Sequence, residues 1–134
     1  ITLINRLNEK GNYFFYIQCG PEQNEISKNI LTNVKKQNCM DLSKMNIREI
    51  IPILYLCDMY VGNDSFSHHV TSQCNKPSIV MLLNSPKAYS DYSINHHRVI
   101  PDNAKIEDLD HSSKYNADSI SVEKVFNKII QIKN

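Results

Sequence analysis

The fold is indicated most clearly by the stretch Val61-Gly62-Asn63-Asp64-Ser65-Phe66-Ser67-His68-His69. Apolar residues Met59-Tyr60-Val61 lead into it as a short buried strand would, and residues 66–74 can form a helix. A strand therefore passes into a helix through a polar turn. We expect Asp64 to be the N-cap of that helix, with the amides of the first turn free to attract an anion such as a diphosphate.

The same alternation of helix and strand continues on both sides of this stretch. Helical periodicity predicts helices at 3–10, 26–34, 47–55 with Pro52 inside, and 122–130 after a Ser121 N-cap. Apolar runs predict strands at 13–17, 39–42 and 79–83, with a possible short strand at 98–100. Helices that alternate with uniformly apolar strands indicate an α/β fold, a Rossmann-like and mostly parallel sheet with helices on both faces.

Size and composition restrict the class of protein. The 134 residues fit one domain, residues 1–134, and the 15 basic and 14 acidic residues give a net charge of +1 that offers no basic surface for nucleic acid. No CxxC pair occurs, so we expect reduced, buried thiols. Without a transmembrane segment or signal sequence, the expected location is cytoplasmic, or peripheral at the inner membrane. Because the chain begins at Ile1 within a helical pattern, we also expect it to be part of a longer protein.

Polar residues follow each predicted strand, where ligands of parallel sheets bind. These segments are 20–22, 43–45, 62–65 and 84–86. Glu22 suits a ribose diol but is equally a solvated acid, and Met45 suits an adenine ring but is equally ordinary packing. Ser65 and His69 lie four residues apart and share one helix face.

Other sites are less well supported by the residues. The pair His96-His97 is expected to lie solvated in a polar loop. A zinc site made from His68, His69 and Cys74 would need a further ligand and better spacing. The sequence contains neither the glycine pattern of dinucleotide folds nor a Walker A motif.

Residues 1–83 resemble the C-terminal domain of glycosyltransferase family 9, the lipopolysaccharide heptosyltransferases. The motifs occur in the family's order, and they are Cys19-Gly20-Pro21-Glu22, Lys44-Met45-Asn46-Ile47-Arg48-Glu49, residues 60–69 and residues 71–80. The resemblance implies the C-terminal half of a GT-B type, inverting glycosyltransferase that binds an ADP-sugar, with heptose expected, and requires no metal or other cofactor. The acceptor, a lipopolysaccharide or other glycan, would bind to an N-terminal domain that this chain lacks.

The resemblance also assigns roles to residues. Glu22 would face the ribose, Met45 the adenine, and the 64–67 turn the diphosphate. The expected donor-binding residues are Gly20, Glu22, Met45, Asn63, Asp64, Ser65, Phe66, Ser67 and His69. The family's catalytic base and donor-site lysine precede the region covered here, so no catalytic residue is expected in this chain, which alone should be inactive.

Two departures from the family pattern keep alternatives open. Phe66 replaces a glycine that lets the backbone approach the phosphates, and Ser67-His68 replaces Pro-Met, with His68 expected to face solvent. The alternatives are a UDP-sugar epimerase-like domain and a non-catalytic carbohydrate- or partner-binding module.

Overall fold

The computed structural model describes residues 1–20, 22–34 and 38–133. The chain divides into two compact units, Ile1–Ile50 and Ile51–Asn134. The predicted order of helices and strands is confirmed, and the strands of each unit pair in parallel. The protein is therefore an α/β protein with Rossmann-like parallel strands.

The first unit begins with helix α1 (Thr2–Lys10), which ends at Gly11 as predicted. Strand β1 (Phe15–Ile17), helix α2 (Asn24–Asn33) and strand β2 (Cys39–Asp41) follow. Strands β1 and β2 are parallel, with Phe15 opposite Cys39 and Ile17 opposite Asp41. One face of this pair is open, because Tyr16 and its neighbour Met40 are 42% and 44% exposed.

Helix α3 (Ile47–Leu56) contains Pro52 and runs across the division between the units. Asn46 begins it with a capping box, because its Oδ1 accepts the amide N–H of Glu49 and its own amide donates to the Glu49 carboxylate. This reciprocal pair explains why the helix starts directly after the 43–45 turn.

The second unit is built on the parallel order β3-β4-β5, with β3 at Tyr60–Asn63, β4 at Ser78–Met81 and β5 at His96–Val99. Helix α4 (Phe66–Gln73) packs on β3 and β4, and helix α5 (Val122–Lys133) packs on β4 and β5. Ser121 caps α5 as predicted, since its Oγ accepts the Lys124 amide at 3.3 Å.

Side chains of the central strand form the core of this unit. Val80 and Leu82 are fully buried and cluster with Leu109, while Ile106 packs against them. The polar segment 84–118 thus packs on the sheet through a few apolar residues. Among the described residues, no helix is both long and apolar enough to cross a membrane.

The four cysteines are free and half-buried, so the expectation that their thiols are buried is wrong. Partial burial raises the pKa of the Cys19, Cys39 and Cys57 thiols, with nearby acids adding to the effect at Cys19 and Cys57.

Candidate functional site

The turn that connects β3 to α4 is held by the Tyr60 side chain. The Tyr60 hydroxyl lies 3.0 Å from the Asn63 carbonyl oxygen and 3.0 Å from Ser65 Oγ. A phenol has one hydrogen and a carbonyl only accepts, so Tyr60 donates to Asn63 and Ser65 donates to Tyr60. Both polar contacts of the turn therefore depend on one half-buried ring.

This arrangement changes the cap of α4. Ser65 is the N-cap and makes no side-chain cap hydrogen bond, because its hydroxyl is directed to Tyr60. The prediction that Asp64 is the N-cap is therefore wrong by one residue. The first backbone bond of the helix runs from the His69 amide to the Ser65 carbonyl at 3.3 Å.

Gly62 has a steric role in the same turn. Tyr60 and Gly62 lie on one side of β3, since alternate residues of a strand share a face. A Cβ at position 62 would lie 2.7 Å from Tyr60 Cζ and 3.2 Å from Tyr60 Cε1, and closer still to the hydroxyl oxygen. Only glycine leaves room for the Tyr60 ring to lie along this face of the strand and reach the turn.

Asp64 is turned towards the helix. Its side chain is only 12% exposed, and Oδ1 lies 3.3 Å from His69 Nε2. The other ring nitrogen of His69, Nδ1, hydrogen-bonds the Tyr92 hydroxyl. The negative charge of Asp64 contributes to a raised pKa of Tyr60 and of Tyr92, after the larger effect of burial in both.

A small cavity lies at the carboxyl ends of β3 and β4. Its volume is about 120 Å³, and its lining residues are Asn63, Asp64, Met81, Leu83, Asn84 and Ser85. The prediction that the segments after these two strands meet is thus confirmed within the second unit. Sites that enclose a whole ligand measure ~300–1,000 Å³, so this cavity holds only part of one.

A larger cavity of about 410 Å³ lies in the first unit. It is lined by Asn5, Glu9, Thr32, Asn33 and Val34, none of which was predicted as a site residue. Its walls belong to α1 and α2, away from the carboxyl ends of β1 and β2. We therefore place the candidate site at the smaller cavity, where polar groups follow parallel strands.

His68 is completely buried, so the expectation that it faces solvent is wrong. Its Nδ1 lies 2.7 Å from Ser78 Oγ on β4. Burial, helped by the neighbouring His96 and His69, lowers the pKa of His68 to about 4, so the ring is neutral at pH 7. Its small neighbour Ser67 is also buried, at 1% exposure, which allows α4 to approach the sheet closely.

The expectation that His96 is a solvated loop residue is also wrong. His96 opens β5 and is 8% exposed, and burial lowers the pKa of its ring. His97 follows on the opposite face of the sheet, where burial and the charge of Lys128 on α5 lower its pKa. The predicted strand at 98–100 was placed two residues too late, which hid the burial of His96.

Phe66 is the first residue of α4 and is 39% exposed. The residue is helical, and within the described ranges Asn75 is the one non-glycine residue with a positive φ. Glycine's conformational freedom is therefore not required at position 66. The departure from the family pattern adds the bulk of a ring without straining the backbone.

The remaining predicted residues belong to the first unit. Gly20 donates its amide to Gln23 Oε1 at 3.2 Å and accepts the Gln23 amide at 2.9 Å, which forms a tight turn after β1. Glu22 is exposed, and Met45 is half-buried in the turn after β2. Pro21 lies outside the described residues. The roles of Glu22 at a ribose and Met45 at an adenine stay predictions.

Comparison with known proteins agrees with the motifs. The model of glycosyltransferase family 9 (heptosyltransferase) matches residues 2–115, which is most of the chain. No curated protein and no solved structure gave a significant match. The matched range includes every residue of the β3–α4 turn and of the cavity beside it. The chain therefore belongs to glycosyltransferase family 9, the heptosyltransferase family.

Proposed function

We propose that this chain is the donor-binding part of an inverting glycosyltransferase that transfers heptose from an ADP-linked donor to a lipopolysaccharide or other glycan acceptor. The observation that carries the proposal is the β3–α4 turn, where a helix start and a small polar cavity meet at the carboxyl ends of parallel strands. Membership of the family supplies the class of reaction.

The chemistry of the turn suits a diphosphate. The N-terminus of a helix carries about half a positive charge and directs backbone N–H groups outward, so it stabilises a phosphate without lysine or metal. His69 stands in the first turn of α4, half-exposed, beside the cavity-lining Asp64. A diphosphate at this position would gain a further hydrogen bond from His69 once one ring nitrogen leaves its present partner, Asp64 or the Tyr92 hydroxyl.

Asp64 requires a specific explanation, because a carboxylate would repel a phosphate. Its Oδ1 is directed at His69 Nε2, so the acid orients the imidazole rather than facing the ligand directly. In this proposal Asn63, Asn84 and Ser85 supply neutral polar contacts, and Asp64 holds His69 in place. Transfer itself requires the acceptor and a base, which we assign to a preceding domain of the full-length protein.

Amide NMR of the 134-residue chain tests the donor assignment. Titration with ADP should shift the amides of residues 63–69, and the predicted contacts Gly20, Glu22 and Met45 should shift as well. Residues 110–113 provide an internal control, since they form a separate polar turn held by the Asp110 side chain. Absence of shifts in 63–69 at millimolar ADP would contradict the proposal, and a clear preference for UDP would favour the epimerase-like alternative.

A further inference from the structure

Three histidine side chains of the second unit converge beside the β3–α4 turn. His68 and His69 lie in α4, and His96 opens β5. One ring nitrogen from each lies within 4.8 Å of the other two. The ring centres of His68 and His96 are 4.1 Å apart, so residues 28 positions apart in the chain are in direct contact.

Several polar atoms of this cluster are buried without a hydrogen-bond partner. They are His68 Nε2 and both ring nitrogens of His96. His68 is 0% exposed and His96 is 8% exposed, so water has little access to their ring nitrogens. The backbone groups of Tyr89 and Ser90 also interact with the rings of His68 and His96 respectively. An unsatisfied buried polar atom destabilises the folded state, so such atoms are rare unless they have a further role.

We infer that His68, His69 and His96 form a binding site for a divalent transition metal of the zinc type, with the Asp64 carboxylate as the adjacent acid. Neutral imidazole nitrogen is a preferred ligand of zinc, and three protein ligands with one open position are typical of accessible zinc sites. Zinc–nitrogen bonds of 2.0–2.1 Å place tetrahedral ligands about 3.4 Å apart, so small side-chain rotations would close the cluster around a metal.

The Asp64 carboxylate lies at the edge of the cluster. Its Oδ1 is 3.3 Å from His69 Nε2, so its negative charge would favour a cation held by the three rings. The Tyr92 hydroxyl, which bonds His69 Nδ1, would then orient the ring from outside the metal, as partners of metal-binding histidines do.

The inference goes beyond donor binding and differs from the expectation of a site without metal. That expectation considered His68, His69 and Cys74 and placed His96 in a solvated loop. Strand β5 instead brings His96 onto the face of the sheet that α4 covers, because Ser78, the partner of His68, lies opposite His96 in the ladder. The missing ligand thus comes from a distant part of the sequence.

Metal binding is measured on the untagged 134-residue chain, after dialysis against a chelator and in the absence of nucleotide. Calorimetric titration with Zn²⁺ should give one site, and Co²⁺ should give the visible absorption of tetrahedral nitrogen coordination. His96→Ala should weaken Zn²⁺ binding at least ~100-fold, since it removes a ligand. The matched control is His97→Ala, because His97 neighbours His96 but lies on the other face, and binding should stay within about twofold.

His69→Ala serves as a second variant in case His96→Ala does not fold, because the His69 side chain is 41% exposed and tolerates truncation. Far-UV circular dichroism establishes that each variant is folded. Failure of the chain to bind Zn²⁺, or equal binding by folded His96→Ala, His69→Ala and the unchanged chain, would overturn the inference. Neither result bears on ADP binding, which is measured separately without metal.

Discussion

Replacement of Gly62 by alanine should destabilise the second unit through the Tyr60 ring. The new Cβ would lie 2.7 Å from Tyr60 Cζ, well inside van der Waals contact, so the ring must move. The ring then loses its hydrogen bonds to the Asn63 carbonyl and to Ser65 Oγ, each 3.0 Å long. At about 0.5–1.5 kcal/mol for each bond, the free energy of unfolding should fall by about 1–3 kcal/mol.

Urea denaturation followed by circular dichroism measures this loss. With a slope of about 2 kcal/mol per molar urea, the midpoint should fall by about 0.5–1.5 M. The control is Gly62→Ala in a Tyr60→Ala background, where the ring is absent. Because alanine is slightly more favourable than glycine in a strand, Gly62→Ala should no longer lower the free energy of unfolding there. Equal costs in both backgrounds, or a loss below about 0.5 kcal/mol in the first, would refute the reasoning.

Three further predictions concern other parts of the chain. Asp41 Oδ1 accepts hydrogen bonds from the Ser43 amide and from the hydroxyl of buried Ser27, and these bonds lower the pKa of Asp41. The resulting stabilisation is present above the ordinary carboxyl pKa, and it is lost as pH falls through the lowered pKa of Asp41. Ser27→Ala should therefore lower the free energy of unfolding by about 1.5–3 kcal/mol at pH 7, as measured by thermal unfolding. A loss that stayed the same in acid would argue against a hydrogen bond to the ionised Asp41 carboxylate. Burial raises the pKa of the Cys57 thiol, so iodoacetamide should modify it more slowly than glutathione at pH 8, and equal rates would contradict the assignment. Ser121→Ala should lower stability by about 1 kcal/mol in urea denaturation, whereas no change would mean that the Lys124 amide is satisfied in another way.

The order of helices and strands could be predicted from the sequence because each element has a local signal. The apolar faces of α1 and α5 repeat at helical spacing, Gly11 ends one helix, and Ser121 begins another. Parallel pairing follows from the alternation of these elements with apolar strands. The meeting of the segments after β3 and β4 also follows, since parallel strands end at one edge.

The details of the site depend on contacts that a linear pattern does not contain. Ser65 is the N-cap but makes no side-chain cap hydrogen bond, because its hydroxyl bonds the Tyr60 ring, five residues earlier in the chain. His96 joins the helix histidines only through the register that sets it opposite Ser78. The sequence contains a signal for the Tyr60 contact, since Tyr60 and Gly62 lie on the same face of one strand. It contains no signal for the position of His96.

Phe66 places an aromatic ring beside the turn that we assign to the diphosphate. Its ring is 39% exposed at the first position of α4. Phe66→Gly would restore the family's residue without any need for a change in backbone conformation. The ring therefore differs from the family's glycine in the space it occupies and not in the backbone conformation it requires.

The most direct test of the central claim is the affinity of the chain for an ADP-sugar, measured by calorimetry on the unchanged protein and on two histidine variants. His69→Ala removes the side chain that we place at the diphosphate, whereas His111→Ala removes an exposed ring whose partner is the Tyr89 hydroxyl. We predict that His69→Ala weakens binding about tenfold, as expected for loss of a hydrogen bond, and that His111→Ala leaves it unchanged. Equal affinities for all three proteins, or no binding by the unchanged chain, would contradict the account.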